Sequence, residues 1–205
     1  MNENEHANRS ANNNQRTGVR KSVEVSIVAM LSATAISIGI LRFWAPNIEL
    51  TSLIAFLSGF VFGSRIGGLV GLVTMSVSSI LNPLGSGAVW PAILLTQVSC
   101  MTLIGAVGGL VSRFSGRGDT ALSLSLKMGA AGFYLTLIYD LVTNFGYALS
   151  FPLAPDLVTR YEIALIAGLY FMVIHVMSNI LLFGVVGPVA SRSITRVIQR
   201  EEAYK

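Results

Sequence analysis

The feature that most constrains this chain is a stretch of 47 residues, from Ile66 to Ser112, without a single Asp, Glu, Lys or Arg. A helix needs about 20 apolar residues to cross a bilayer, so this stretch is long enough for more than one crossing. Only 12% of all residues are charged, against about 25% in soluble domains. A soluble globular fold is therefore excluded, and we predict an all-α, polytopic membrane protein.

Turn formers and helix breakers between Asn82 and Pro91 divide the uncharged stretch into two helices. Six helices are predicted, at about 25–44, 50–64, 66–81, 91–112, 122–150 and 162–186. They form a six-helix membrane domain over residues 24–190. An asparagine-rich segment, 1–23, has too few apolar side chains to fold and is predicted to be a disordered tail. Residues 191–205 form a basic tail, whose arginines we expect against lipid phosphates.

The distribution of Lys and Arg predicts the orientation of the bundle. Of the 14 basic residues, only Arg42 and Arg160 fall in the loops that lie outside when the N-terminus is cytoplasmic. Because basic residues are enriched on the cytoplasmic side, this asymmetry favours six helices with both termini inside, and a plasma-membrane location.

The sequence lacks the residues that several chemical functions require. Cys100 is the single cysteine, so neither a disulfide nor a cysteine-based metal site is predicted. The sequence contains no phosphate-binding loop of the Gly-x-x-x-x-Gly-Lys-Ser/Thr type and no common hydrolase motif. We therefore expect no enzyme activity, no cofactor and no metal. The basic residues flank apolar segments and do not form one patch, so nucleic acid is not an expected partner.

Ionisable residues inside a span are hypotheses of function by default. Asp140 shares one face of the fifth helix with Asn144 and Tyr147, at spacings of four and seven. His175 and Asn179 form a similar pair on the sixth helix. Each group is either part of a binding pocket, with His175 as a ligand or proton relay, or part of a hydrogen-bond network between helices.

The segment between the third and fourth helices carries further candidates. It begins at Asn82, is rich in glycine, and ends at Trp90, with Gln97 about two turns later. Trp90 suits either the interfacial aromatic belt or stacking on a flat ligand that enters from outside. Asn82 and Gln97 are candidate polar contacts for that ligand.

Small residues recur at a spacing of four, which lets helices approach closely. Ala29 and Ala33 form such a pair in the first helix. Glycines repeat the spacing in later helices, at 59 and 63, 67 and 71, and 105 and 109. Packing within the bundle is the simplest interpretation of each pair, and docking of a partner helix is the alternative.

Four features of the sequence together resemble a known family. They are the pair Ala29 and Ala33, the segment from Pro46 to Gly63, the run Gly67–Gly71 and the segment from Asn82 to Gly87. The pattern is similar to the substrate-binding S components of energy-coupling factor (ECF) vitamin transporters, over about residues 24–190. The resemblance implies a subunit that binds a vitamin or its precursor from outside. Cobalamin and riboflavin are candidate ligands.

The same resemblance implies partners. The subunit would dock through Ala29 and Ala33 on a transmembrane T subunit, and two ABC-type ATPase subunits would hydrolyse the ATP. In this family the ligand lies near the outer ends of the fourth to sixth helices, which agrees with the position of Asp140, Asn144 and Tyr147. Two alternatives stay open: a six-helix membrane scaffold, and a carrier in which Asp140 or His175 changes protonation during transport.

Overall fold

The protein, a computed structural model, consists of helices joined by short loops over the residues that the structure describes. These are residues 3–41, 49–81, 89–116 and 118–203, with side chains at 21–40, 49–81, 89–116 and 118–200. The helices are α1 (Glu3–Leu41), α2 (Leu50–Phe62), α3 (Ser64–Leu81), α4 (Pro91–Arg113), α5 (Ala121–Ser150), α6 (Leu157–Leu181) and α7 (Gly187–Ala203), with a π-helical segment (Leu182–Val186) between α6 and α7. The prediction of an all-α chain is confirmed.

Five helical segments of the described chain are long and apolar enough to cross a membrane. They are Lys21–Ile40 of α1, α3, α4, α5 and the continuous segment Leu157–Arg200 that runs from α6 into α7. By length and composition the chain is that of a membrane-embedded helical protein. With only 13 residues, α2 rises about 20 Å, less than the thickness of a bilayer core.

Three helix boundaries differ clearly from the predicted ones. α6 begins at Leu157, five residues before its predicted start. α1 already begins at Glu3, inside the segment predicted to be disordered. At the other end, the helix does not stop at Val186 but continues through the π segment into α7. Pro188 explains the π segment, because proline cannot donate a backbone hydrogen bond and its ring clashes with the carbonyl four residues earlier. One residue earlier, the N–H of Gly187 donates to the carbonyl of Leu182, five residues back.

Glycines bring α2, α3 and α4 into backbone contact. Gly63 adopts a φ of 98° and reverses the chain between α2 and α3, which brings Gly67 against Gly59. A Cβ atom on Gly67 or on Gly105 would overlap the backbone of the facing helix. The predicted packing role is therefore confirmed for five of the six glycines, at 59, 67, 71, 105 and 109, and is wrong for Gly63, which makes the turn.

The apolar core lies between α2, α4, α5 and the π segment. Phe56 and Phe183 are fully buried there, with ring centroids 4.9 Å apart. At one end of the bundle, Lys127 donates to both carboxylate oxygens of Asp119 at 2.9 and 2.8 Å. These hydrogen bonds lower the pKa of Asp119, which lies just before α5.

Candidate functional site

Helices α5 and α6 face each other through a ladder of polar side chains. Asn179 donates to the hydroxyl of Thr136 at 2.8 Å. One helical turn away on both helices, His175 Nδ1 lies 2.8 Å from Asp140 Oδ1. The spacing of four residues on each helix explains the regular steps, since residues i and i+4 lie on one face. We call Thr136, Asn179, Asp140 and His175 the polar ladder.

The amide of Asn144 continues the same line one turn further along α5. Its Nδ2 donates to the backbone carbonyl of Asp140 at 2.8 Å and lies 3.6 Å from Met172 Sδ on α6. The side chain also packs against Gly168. Asn144 therefore fills the α5–α6 contact.

Glu49, the residue before α2, reaches the polar ladder from a third element. Its Oε2 lies 3.5 Å from His175 Nε2 and accepts a hydrogen bond of 3.0 Å from Ser52. The imidazole ring is thus held between two carboxylates, Glu49 at one nitrogen and Asp140 at the other. We call these three residues the charge cluster.

The charge cluster lies well inside the apolar part of the bundle. Asp140 is ten residues before the end of α5, which corresponds to about 15 Å, half the thickness of a bilayer core. Glu49, directly before α2, belongs to this cluster, so the short helix α2 begins within the bundle. It covers only the distance that remains across the bilayer core. All three side chains are buried, with residue exposures of 8% for Glu49, 7% for Asp140 and 6% for His175.

The geometry of the charge cluster restricts its chemistry. A carboxylate only accepts hydrogen bonds, so His175 Nδ1 donates to Asp140. Nε2 also faces a carboxylate oxygen, an arrangement that suits a doubly protonated imidazolium. The two carboxylates lie on opposite sides of the ring and do not converge on one point. Accordingly, the described residues contain no group of three His, Cys, Asp or Glu side chains suited to a metal ion.

Two buried oxygen atoms of the polar ladder have no hydrogen-bond partner within the described chain. They are Asp140 Oδ2 and Asn179 Oδ1. Asn179 is only 1% exposed. Because buried polar groups are normally satisfied, such acceptors mark a place where a donor is required.

Two other candidates meet at a second location, at the C-terminal end of α5. Trp90, before α4, and Tyr147, on α5, both pack on Phe151, with ring centroids 4.4 Å apart in each case. Both Trp90 and Tyr147 are 40% exposed. Gln97 is partly buried on α4. Asn82 lies outside the described residues.

The structure therefore joins Asp140, His175, Asn179 and Asn144 in one group, and Trp90 and Tyr147 in another. Tyr147 lies seven residues, about 10 Å, along α5 from Asp140. The contact between Glu49 and His175 was not predicted from the sequence. The only sign of this contact in the sequence is a carboxylate directly before an apolar helix. The depth of that carboxylate in the bundle depends on where α2 begins, which the sequence does not fix.

Ala29 and Ala33 are both exposed on α1 and do not pack within the bundle. A different side of α1, about 100° around the helix from this pair, is the packed one: Ser32 and Ala35 are buried, and a Cβ atom on Gly39 would lie 3.2 Å from Thr51. The small-residue face of α1 is thus open to lipid or to another helix.

Comparison of the chain with family models, with curated proteins and with solved structures finds no match of any of the three kinds.

Proposed function

We propose that this chain is the substrate-binding subunit of an ATP-driven importer of the ECF type. In this proposal it crosses the plasma membrane six times, with both termini in the cytoplasm. It binds a vitamin or vitamin precursor from outside, with cobalamin and riboflavin as candidates. It docks on a transmembrane T subunit that is driven by two ATPase subunits.

The observation that carries the proposal is the buried charge cluster of Glu49, Asp140 and His175. Buried ion pairs are rarely more stabilising than apolar packing of the same volume, and ionisable groups in a membrane interior are costly. A membrane scaffold gains nothing from two carboxylates at this depth, whereas a polar ligand needs such groups. The cluster also lies at the N-terminus of a short helix, a position typical of substrate sites in membrane transport proteins.

The open face of α1 supports the docking part of the proposal. Ala29 and Ala33 have the spacing that allows close helix contact, and the bundle does not use them. The glycines of α2, α3 and α4, which have the same spacing, are already occupied by internal contacts.

Thermal unfolding of the purified chain in detergent tests the binding function. The panel is cobalamin, riboflavin, biotin, thiamine and their precursors. A ligand at a hundredfold excess over its Kd stabilises the folded state by about 2.7 kcal/mol, so one member should raise Tm clearly. A well-folded chain that responds to none of them would contradict the proposal and favour the scaffold.

A proton-coupled carrier is the second candidate, and the position of His175 between two carboxylates favours it. Such a site can exchange a proton as its neighbours change. Uptake in proteoliposomes that contain this chain alone, driven by a proton gradient and independent of ATP, would support the carrier. Uptake that requires the T subunit and the ATPases would support the importer.

A further inference from the structure

A line of exposed apolar side chains runs along α6, through the π segment and into α7. Its members follow one another at steps of three or four residues, the spacing of one helix face, and each is more than half exposed. We call them the apolar stripe: Ile166, Tyr170, Val173, Met177, Leu181, Val185 and Val189. The apolar stripe rises about 35 Å from its first to its last member, close to the thickness of a bilayer core. Val189 therefore lies near one edge of the hydrocarbon.

The same spacing continues after Val189, but the side chains become basic. Arg192 follows Val189 by three residues, and Arg196 and Arg200 follow at steps of four. Arg196 and Arg200 are exposed, and Arg192 is partly buried. Side chains on a helix lean towards its N-terminus, which here means back towards the bilayer edge. We call these three residues the arginine face of α7.

The fold fixes the direction in which the arginine face points. On another side of α7, Gly187 and Ser191 are buried, and a Cβ atom on Gly187 would lie 3.0 Å from Met128 Sδ. Arg192 Nη2 also donates to the backbone carbonyl of Asp119 at 3.3 Å. The segment predicted to be a basic tail is thus a helix that packs on the bundle and presents its arginines on one side.

The positive charges of the arginine face are not balanced by the described part of the chain. No acidic side chain described there forms an ion pair with Arg192, Arg196 or Arg200. The carboxylate of Asp119 accepts both of its hydrogen bonds from Lys127, so Arg192 contacts only the backbone of that residue. A row of three guanidinium groups at a bilayer edge is complementary to a layer of anions.

We propose that the arginine face binds the phosphate headgroups of anionic phospholipids whose acyl chains lie along the apolar stripe. The continuity of the two surfaces on one helix favours a lipid over a soluble anion, because a lipid contacts both. Arginine suits the phosphate, since its planar guanidinium forms paired hydrogen bonds with phosphate oxygens. Arg200 lies about 12 Å beyond Arg192 along the axis, but its side chain leans back, and the field of an anionic membrane reaches about 10 Å. The inference does not depend on the proposed importer function.

Calorimetric titration of the full chain in an uncharged detergent tests the proposal with two short-chain lipids. Phosphatidylglycerol is anionic, and phosphatidylcholine has no net charge. One arginine near an anionic lipid surface contributes about fivefold in affinity, so we expect a preference of about 100-fold for phosphatidylglycerol. The preference should fall steeply between about 0.1 M and about 1 M salt, because the screening length shrinks from about 10 Å to about 3 Å. Equal binding of the two lipids would overturn the inference.

Three double variants locate the lipid site. Arg196→Gln with Arg200→Gln should lower the preference to about fivefold, the contribution of one arginine. Arg196→Lys with Arg200→Lys keeps the charge and should keep most of the preference. Lys21→Gln with Arg65→Gln is the matched control, because it removes two positive charges from the same end of the bundle but from α1 and α3. An unchanged preference in the glutamine variant of α7 would overturn the inference, and the comparison of the two lipids on the unchanged chain needs no variant.

Two further measurements separate a lipid from other anions. The deacylated headgroup of phosphatidylglycerol carries the same phosphate without acyl chains, and at equal concentration it should not displace the lipid. Displacement would indicate a site for a free phosphate and overturn the inference. If Arg196→Gln with Arg200→Gln binds phosphatidylglycerol as before but no longer co-purifies with a T subunit and its ATPases, the arginine face binds an acidic protein surface. That outcome would overturn the inference and leave the importer intact.

Discussion

Thr136 and Thr143 lie on the same helix and look equivalent in the sequence, but their hydroxyls form different kinds of hydrogen bond. Thr136 accepts a hydrogen bond from Asn179 across the α5–α6 contact. Thr143 donates only to backbone carbonyls of its own helix, at Tyr139 and Asp140. A hydrogen bond between helices stabilises their packing, whereas one within a turn does not.

Replacing Thr136 by valine should therefore destabilise the fold by about 1 kcal/mol, the order measured for such bonds in membrane proteins. Valine keeps the shape and leaves the amide of Asn179 without its acceptor. Thr143→Val is the control and should cost less. Reversible unfolding in mixed detergent micelles measures both, and equal losses for the two variants would contradict the role of the polar ladder.

The spacing of polar residues predicted two pairs but not the contacts between helices, and it grouped Tyr147 with Asp140, whereas Tyr147 packs on Phe151. Asp140 with Asn144, and His175 with Asn179, follow from helical periodicity alone. Whether Asp140 lies opposite His175 or faces a ligand depends on the relative height and rotation of α5 and α6, and these are set by packing along both helices, at residues such as Gly132 and Phe183. Periodicity within one helix contains no information on that rotation.

The sequence predicted the existence and order of the helices better than the residues at which they begin and end. Apolar length defines a span, and α3, α4 and α5 begin and end within about two residues of the predicted positions. The continuation through Pro188 was not foreseen, because proline commonly ends a helix and the π segment that accommodates it depends on the surrounding packing. The prediction of Asn82 as a ligand contact stays untested, because this residue lies outside the described part of the chain.

Gly67 and Gly68 provide an adjacent pair for testing the packing of α3. A Cβ atom on Gly67 would overlap the backbone of Gly59 and Gly105, whereas on Gly68 its nearest neighbours would lie at 3.7 Å. Gly67→Ala should destabilise the fold by about 1–3 kcal/mol, as overpacking does. Gly68→Ala should be neutral or stabilising, since alanine favours helix by about 1 kcal/mol. Thermal unfolding distinguishes the two, and a stable Gly67→Ala variant would show that α2, α3 and α4 do not meet as described.

The whole molecule combines two kinds of helix contact, and α2 takes part in both. On one side, glycines join α2 to α3 and α4 without room for side chains. On the other, Phe56 packs against Phe183 while Glu49 reaches His175. The close glycine contacts of α2 with α3 and α4 thus help to place the N-terminus of α2 against the polar ladder of α5 and α6. A ligand that binds at the charge cluster would contact both groups of helices at once.

The face of α1 that carries Ala29 and Ala33 takes no part in either kind of contact, which leads to a prediction for the proposed importer complex. Ala29→Leu combined with Ala33→Leu should leave Tm and ligand binding unchanged, because both positions are exposed. The bulky side chains should separate α1 from a partner helix and reduce co-purification with a T subunit and its ATPases at least tenfold. Ala167→Leu, at an exposed position of α6, is the matched control and should assemble normally. Unchanged assembly of the double variant would show that α1 is not the docking helix, and a fall in Tm would show that this face packs within the bundle.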